Sequence, residues 1–127
     1  MSLDKSVWGP AFWALLHGLA ERLGEQPDEL SGADEAQEWA RWIRYLSEVL
    51  PCPVCQEHAH IVRRPDFAKL RGETLQREAR EWTYNFHESV RQRLKPGERP
   101  FPHEQLQAYG LRDLTQEAEI VLNAIQL

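Results

Sequence analysis

Apolar residues recur at helical spacing along most of the chain. The first such segment, from about residue 7 to 23, carries the stripe Trp8, Phe12, Leu15, Leu16, Leu19 and Leu23. Gly24 and Pro27 are expected to end this helix. A second helix is predicted from about Asp34 to Leu50, where Pro51 closes it. Its inward-facing residues are Trp39, Trp42, Ile43, Leu46, Val49 and Leu50.

Three further helices are predicted in the second half of the chain. A short helix begins at the prolines that bracket Cys52 and runs to about Arg63, because proline is favoured in a first helical turn. A fourth helix follows the loop around Pro65 and Gly72, with the stripe Leu75, Ala79, Trp82, Phe86, Val90 and Leu94. A last helix is expected to carry Leu111, Leu114, Ala118, Val121, Leu122 and Ile125. With no alternating strand pattern, the sequence predicts an all-α helical bundle.

Composition and charge narrow the class of protein. The 127 residues, 42% of them hydrophobic, predict a single domain over residues 1–127. The formal net charge of -5 argues against a nucleic-acid partner, because phosphate binding depends on Lys and Arg. No apolar run reaches the roughly 20 residues that cross a bilayer, so no membrane partner is expected. The polar start, from Met1 to Ser6, shows no targeting signal, and a cytoplasmic location is the expectation.

The two cysteines of the chain are Cys52 and Cys55, in a Cys-x-x-Cys spacing that allows a small reactive disulfide. Because Pro53 disfavours helical angles at Cys52, this residue is predicted to cap the third helix, where first-turn N–H groups favour its thiolate. The spacing alone leaves redox chemistry, metal binding and packing open. His58 and His60 complete a Cys/His cluster of zinc-binding types, but four ligands on one unbroken helix cannot surround one ion.

Two polar groupings flank the apolar stripes. Trp13 and His17 lie one turn apart at the edge of the first stripe, where they suit either the rim of the core or the wall of a cofactor site. On the fourth helix, His87, Arg91 and Lys95 recur every four residues as three potential cations. Such a row is usually a solvated charged face. The alternative is a site for an anionic ligand such as a dinucleotide diphosphate.

Together these residues resemble the Erv/ALR family of FAD-linked sulfhydryl oxidases over about residues 7 to 101. The family's opening G-x-x-x-W-x-x-L-H-x-x-A is matched by Gly9, Trp13, Leu16, His17 and Ala20. Its Y-P-C-x-x-C is similar to the segment from Leu50 to Cys55, with leucine in place of tyrosine. Its closing W-x-x-x-x-H-N-x-V-N-x-x-L-x-K-P is matched, shortened by one residue, by Trp82, His87, Val90, Leu94, Lys95 and Pro96.

The resemblance implies a four-helix bundle, here with an additional C-terminal helix, that holds FAD beside the dithiol. Cys52 would exchange with a dithiol substrate, Cys55 would face the flavin, and oxygen would accept the electrons to give hydrogen peroxide. The family is commonly homodimeric. The cofactor-binding residues that the likeness implies are Gly9, Trp13, His17, Tyr84, His87, Glu88, Val90, Arg91, Leu94 and Lys95.

Departures from the family pattern motivate two alternatives. Glu88 and Arg91 stand where the family has asparagines, which suggests a helical bundle that lost FAD and serves as a binding or assembly module. A small structural zinc protein built on the two cysteines is the third hypothesis. Since the chain lacks the extra cysteines of many members, a substrate would have to reach Cys52 directly. The segment after Phe101 lies outside the resemblance and is interpreted as a packing or dimer contact.

Overall fold

The computed structural model describes residues 5–26 and 29–125 of the chain. All regular elements in these ranges are helical, which confirms the predicted all-α class. The α-helices are α1 (Lys5–Glu21), α2 (Glu29–Val49), α3 (Pro53–Ile61), α4 (Gly72–Leu94), α5 (Leu106–Tyr109) and α6 (Thr115–Ile125). Short 3-10 turns cover Phe67–Lys69 and His103–Gln105. Across the described ranges, no helix has the length and apolar character that a membrane crossing needs.

Several element boundaries differ from the sequence prediction. Helix α2 begins at Glu29 rather than near Asp34, and the four-residue helix α5 was not predicted. Leu111 was wrongly placed in the last helix: it lies in the turn before α6 and is 90% exposed. Leu94 and Leu122, which were placed on the apolar stripes, are about half exposed, at 49% and 53%. Pro27, one of the two expected helix terminators, lies outside the described residues.

The core joins the apolar stripes of α1, α2 and α4 to residues of α3 and α6. Helix α1 packs against α4, α5 and α6, while α3 bridges α2 and α4. Phe67, in the turn before α4, is buried in the same core although no helical pattern announced it. The fully or nearly buried large side chains include Phe12, Leu16, Ile43, Leu50, Phe67, Leu75 and Leu106.

The segment after Phe101 packs on α1, which agrees with its interpretation as a packing contact. A Cβ atom added at Gly18 would meet the Cδ1 atom of Leu114 and lie 3.0 Å from the carbonyl oxygen of Tyr109. Only a residue without a side chain lets α1 approach the C-terminal segment this closely. A partly buried ion pair also fixes α1 on α4, since the Glu21 carboxylate accepts from Arg80 Nε at 2.7 Å and Nη2 at 2.8 Å.

Candidate functional site

The dithiol lies at the first turn of α3, where Cys52 and Cys55 form a disulfide with their Cα atoms 5.2 Å apart. Cys52 has the extended backbone, φ -151° and ψ 99°, that a following proline imposes. Its Sγ atom accepts a hydrogen bond from the Cys55 N–H at 3.2 Å. The prediction that Cys52 caps the third helix is thereby confirmed, and the free first-turn N–H groups favour a thiolate there.

Both sulfur-bearing residues are buried, each 2% exposed. The neighbouring Gln56, which sequence reasoning did not single out, donates from Nε2 to the carbonyl oxygens of Leu50 at 2.5 Å and Glu48 at 3.3 Å. These bonds tie the start of α3 to the end of α2. The disulfide is therefore covered by the chain around it.

The two histidines of α3 do not join the cysteines. His58 Nδ1 is hydrogen-bonded to Ser89 Oγ on α4, and His60 is exposed. Within the ranges that the structure describes, no three His, Cys, Asp or Glu side chains gather as a metal site. Three of the residues that motivated the zinc hypothesis thus have other partners: the cysteines are bonded to each other, and His58 is bonded to Ser89.

An aromatic cluster joins α1 to α4. The ring of Trp13 stacks on that of His87, with ring centres 4.0 Å apart and an angle of 6° between the planes. His17 Nε2 lies 2.8 Å from His87 Nδ1, so one ring donates its N–H to the other. The structure therefore brings together three of the residues that the sequence proposed for a cofactor site, from two helices separated by most of the chain.

The two histidines of this cluster are neutral near pH 7. Burial lowers the pKa of His17 to about 4. Burial first, and then the proximity of His17 and Arg91, lowers the pKa of His87 to about 3. The interpretation of His87 as one of three solvated cations is therefore wrong. His17 Nδ1 is buried and has no hydrogen-bond partner among the described residues, which leaves a polar atom available to a ligand.

Two aromatic residues that the sequence did not single out complete the cluster. Phe101 lies parallel to the His17 ring at 6.3 Å and 6.0 Å from that of His87. Tyr109 of α5 lies 5.4 Å from the His17 ring and 6.2 Å from that of Phe101. Phe101 stands between two prolines, which restrict the backbone on both sides of it. An aromatic residue in such a rigid segment was the sequence signal that could have identified it.

Tyr84, Glu88 and Arg91 lie on the face of α4 beside this cluster and bind the protein itself. Tyr84 Oη donates to the Phe101 carbonyl oxygen at 2.6 Å, and the Phe101 N–H donates to Glu88 Oε1 at 2.9 Å. Arg91 donates to the same Glu88 oxygen at 2.5 Å and to Glu98 Oε1 at 2.8 Å. The charges of Glu88 and Arg91 thus offset each other.

The remaining four predicted cofactor residues lie in different surroundings. Gly9 precedes Trp13 by one turn of α1 and is almost open, with Lys5 Cγ at 4.0 Å from an added Cβ. Val90 is 3% exposed and packs in the core, so its side chain is not available to a ligand in this structure. Leu94 is 49% exposed, and Lys95 is exposed at the C-terminal cap of α4.

Phe86 connects the aromatic cluster with the surroundings of the dithiol. Its ring centre lies 5.0 Å from that of Trp13. Phe86 also lines a small apolar cavity of about 10 Å³ together with Leu50 and Ala59, which lie on either side of the cysteines in the sequence. Ala59 follows Cys55 by one turn of α3, so the cluster and the dithiol border the same part of the core.

A larger cavity, of about 610 Å³, lies between the end of α1 and the start of α2. Leucine and tryptophan side chains form its apolar walls, and its charged residues are Arg22, Asp34, Glu35 and Glu38. None of the predicted cofactor residues lines it. The three acidic side chains outnumber Arg22 and disfavour an anionic dinucleotide, so we place the candidate site at the aromatic cluster rather than in this cavity.

Comparisons with known proteins agree with the motifs. The chain is 34% identical over 95 residues to a protein of Invertebrate iridescent virus 3 that is named as an FAD-linked sulfhydryl oxidase. The match covers 74% of this chain and 60% of that relative, so the chain spans about three fifths of its length. A search of solved structures gives no match. A model of the Erv1/Alr family matches residues 10–108, a range that holds the dithiol and most of the aromatic cluster, and the chain belongs to this family.

Proposed function

We propose that this protein is an FAD-dependent thiol oxidase that forms disulfides in a dithiol substrate through Cys52 and Cys55. The observation that carries the proposal is the disulfide at the capped start of α3, in a chain of the Erv1/Alr family. The name of the viral relative supports the same activity. Two cysteines at this spacing can close a small, reactive disulfide.

The exchange begins at Cys52. A substrate thiolate attacks the Cys52 sulfur, the bond between the two sulfurs breaks, and Cys55 leaves as the thiolate. The second substrate thiolate then attacks the substrate sulfur of the mixed disulfide and releases Cys52. The substrate has lost two electrons to form its disulfide, and the Cys52–Cys55 pair has gained them as two thiolates.

The aromatic cluster fits a planar, hydrogen-bonding cofactor. Trp13, His87 and Phe101 provide ring faces on which a ring system can stack, and the buried His17 Nδ1 needs a polar partner. Bound FAD would supply a two-electron acceptor for the reduced pair and pass the electrons to oxygen, which gives hydrogen peroxide. Lys95, at the exposed end of α4, offers a cation for the diphosphate.

The test is the visible absorption spectrum of the purified protein, followed by oxygen consumption with a dithiol. We expect flavin bands near stoichiometry and a flavin-dependent consumption of oxygen that a Cys55→Ser variant lacks. A colourless protein that FAD cannot reconstitute and that consumes no oxygen contradicts the proposal.

A second candidate function is a cofactor-free binding or assembly module. It is favoured by one observation, that Tyr84, Glu88 and Arg91 all hydrogen-bond to the protein itself where the family has FAD-binding residues. Flavin-dependent turnover that disappears in Cys55→Ser would exclude it. The homodimer and the cytoplasmic location stay predictions, and light scattering of the purified protein tests the first.

A further inference from the structure

Helix α4 holds the peptide of Phe101 at both of its polar groups. Tyr84 Oη donates to the Phe101 carbonyl oxygen at 2.6 Å, and the Phe101 N–H donates to Glu88 Oε1 at 2.9 Å. Tyr84 and Glu88 are four residues apart and so lie on one face of the helix. Two contacts on the backbone of a single residue, one to each of the peptide groups that flank it, fix both its position and its direction.

Arg91 orients Glu88 and binds the same segment from its other side. Its guanidinium donates to Glu88 Oε1 at 2.5 Å, to Glu98 Oε1 at 2.8 Å and to the Arg99 carbonyl oxygen at 3.1 Å. Gln92 Nε2 adds a bond of 2.9 Å to the Glu98 carbonyl oxygen. Residues 98–101 are therefore attached to α4 by a continuous hydrogen-bonded network.

The fixed peptide sets the place of the Phe101 ring. This ring lies parallel to that of His17, at an angle of 5° and a distance of 6.3 Å, and completes the cluster around the unpartnered His17 Nδ1. Pro100 and Pro102 restrict the backbone on either side. The position of the ring thus depends on its two hydrogen bonds to α4.

We propose that Glu88 and Tyr84 are positioning residues of the cofactor site, which act by holding Phe101 against His17 rather than by touching the cofactor. The inference rests on the proposed function. The pairing with Arg91 offsets the charge of Glu88 beside an anionic cofactor: Oε1 accepts from both Arg91 and the Phe101 amide, while the buried Oε2 has no hydrogen-bond partner among the described residues.

The experiment compares four single variants with the wild type. Glu88→Ala removes the acceptor of the Phe101 N–H, Glu88→Gln keeps an oxygen there, and Tyr84→Phe removes the other bond while it keeps the ring. Glu38→Ala is the matched control, because Glu38 forms an exposed pair with Arg41 at the same spacing of three residues on α2. Each variant is checked for wild-type helical content.

The first readout is hydrogen exchange of the Phe101 amide in the cofactor-free protein. Since the neighbouring prolines carry no N–H, this amide is the only one in residues 100–102. We expect Glu88→Ala to speed its exchange about tenfold, as loss of a charge-assisted hydrogen bond predicts. Glu88→Gln should restore most of the protection, and Glu38→Ala should leave it unchanged. An amide that exchanges equally fast in the wild type and Glu88→Ala overturns the proposal.

The second readout is the dissociation constant for added FAD, followed by the flavin absorption spectrum. Glu88→Ala and Tyr84→Phe are expected to weaken binding by about tenfold each and to alter the flavin bands, with rescue by Glu88→Gln. If the wild type binds FAD and Glu88→Ala binds it equally tightly despite a freed Phe101 amide, the positioning role is wrong while the proposed function stands. If the wild type does not bind FAD, both the positioning role and the proposed function are wrong.

Discussion

His17 Nε2 lies 2.8 Å from His87 Nδ1, a hydrogen bond that joins α1 to α4 across 70 positions of the chain. His17 is buried and His87 is half-buried, both are neutral near pH 7, and the Trp13 and Phe101 rings flank them. In either tautomer, the outer nitrogen of His17 keeps no partner among the described residues. The pair therefore fixes the two helices and leaves one polar atom for a ligand.

The free energy of unfolding is expected to fall as the pH drops from about 6.5 to about 4. The folded pKa values of about 4 for His17 and about 3 for His87 lie below the ordinary 6.5, so the unfolded chain binds more protons in this window. The loss is on the order of 1.4 kcal/mol per pH unit for each histidine. Urea unfolding at pH 7 and pH 5 measures it.

A His17→Gln, His87→Gln double variant is the control for this pH dependence. Its stability between pH 7 and 5 should change much less than that of the wild type, because most carboxylates titrate below this range. Equal pH dependence in the two proteins would show that the histidines are not the titrating groups.

Substitutions of Cys52 should separate its two roles. Cys52→Ala and Cys52→Ser both end dithiol exchange, yet FAD stays bound because the aromatic cluster is untouched. Both variants lack the disulfide, but serine is a good helix cap and alanine is not, so Cys52→Ala should be about 1 kcal/mol less stable than Cys52→Ser. Oxygen consumption, flavin content and urea unfolding are measured together. Loss of flavin in Cys52→Ser would contradict the assignment of these roles.

Removal of the Glu21 carboxylate should destabilise the junction of α1 and α4. Its side chain is 6% exposed and accepts two bonds from Arg80 and one of 2.8 Å from Gln76. Since Arg80 is 30% exposed, we expect Glu21→Ala to lower the free energy of unfolding by about 2 kcal/mol, between the values for exposed and buried pairs. Glu38→Ala, which breaks an exposed pair, should change it by less than about 0.5 kcal/mol. Similar losses in the two variants would refute this difference.

Alanine at Gly18 should weaken the packing of α1 on the C-terminal segment. The added Cβ would meet Leu114 and the Tyr109 carbonyl oxygen, and overpacking costs about 1–3 kcal/mol. The gain in helix propensity offsets roughly 1 kcal/mol of this. Gly9→Ala on the same helix has room for its Cβ and should instead stabilise the protein. Urea unfolding of both variants checks the prediction, and a Gly18→Ala protein as stable as Gly9→Ala would show that the contact is not tight.

Much of the fold and the chemistry of the dithiol follow from local sequence. The helical stripes and the cap at Cys52 depend on residues within one or two turns, and the structure has them as expected, apart from boundary errors such as those at Glu29 and Leu111. Leu111 was misplaced because its spacing continues the apolar period of α6, although the helix begins four residues later. Periodicity shows which positions can share a face, but not where the helix starts.

The tertiary structure decided which of these faces meet. His17 and His87, or Glu88 and the Phe101 amide, are brought together by the packing of all the helices at once. In the sequence, the row of His87, Arg91 and Lys95 looked like three equivalent cations. In the structure, burial keeps His87 neutral, and Arg91 forms an ion pair with Glu88. Whether a polar side chain serves a ligand or the fold depends on the atoms that surround it, and distant segments of the chain supply those atoms.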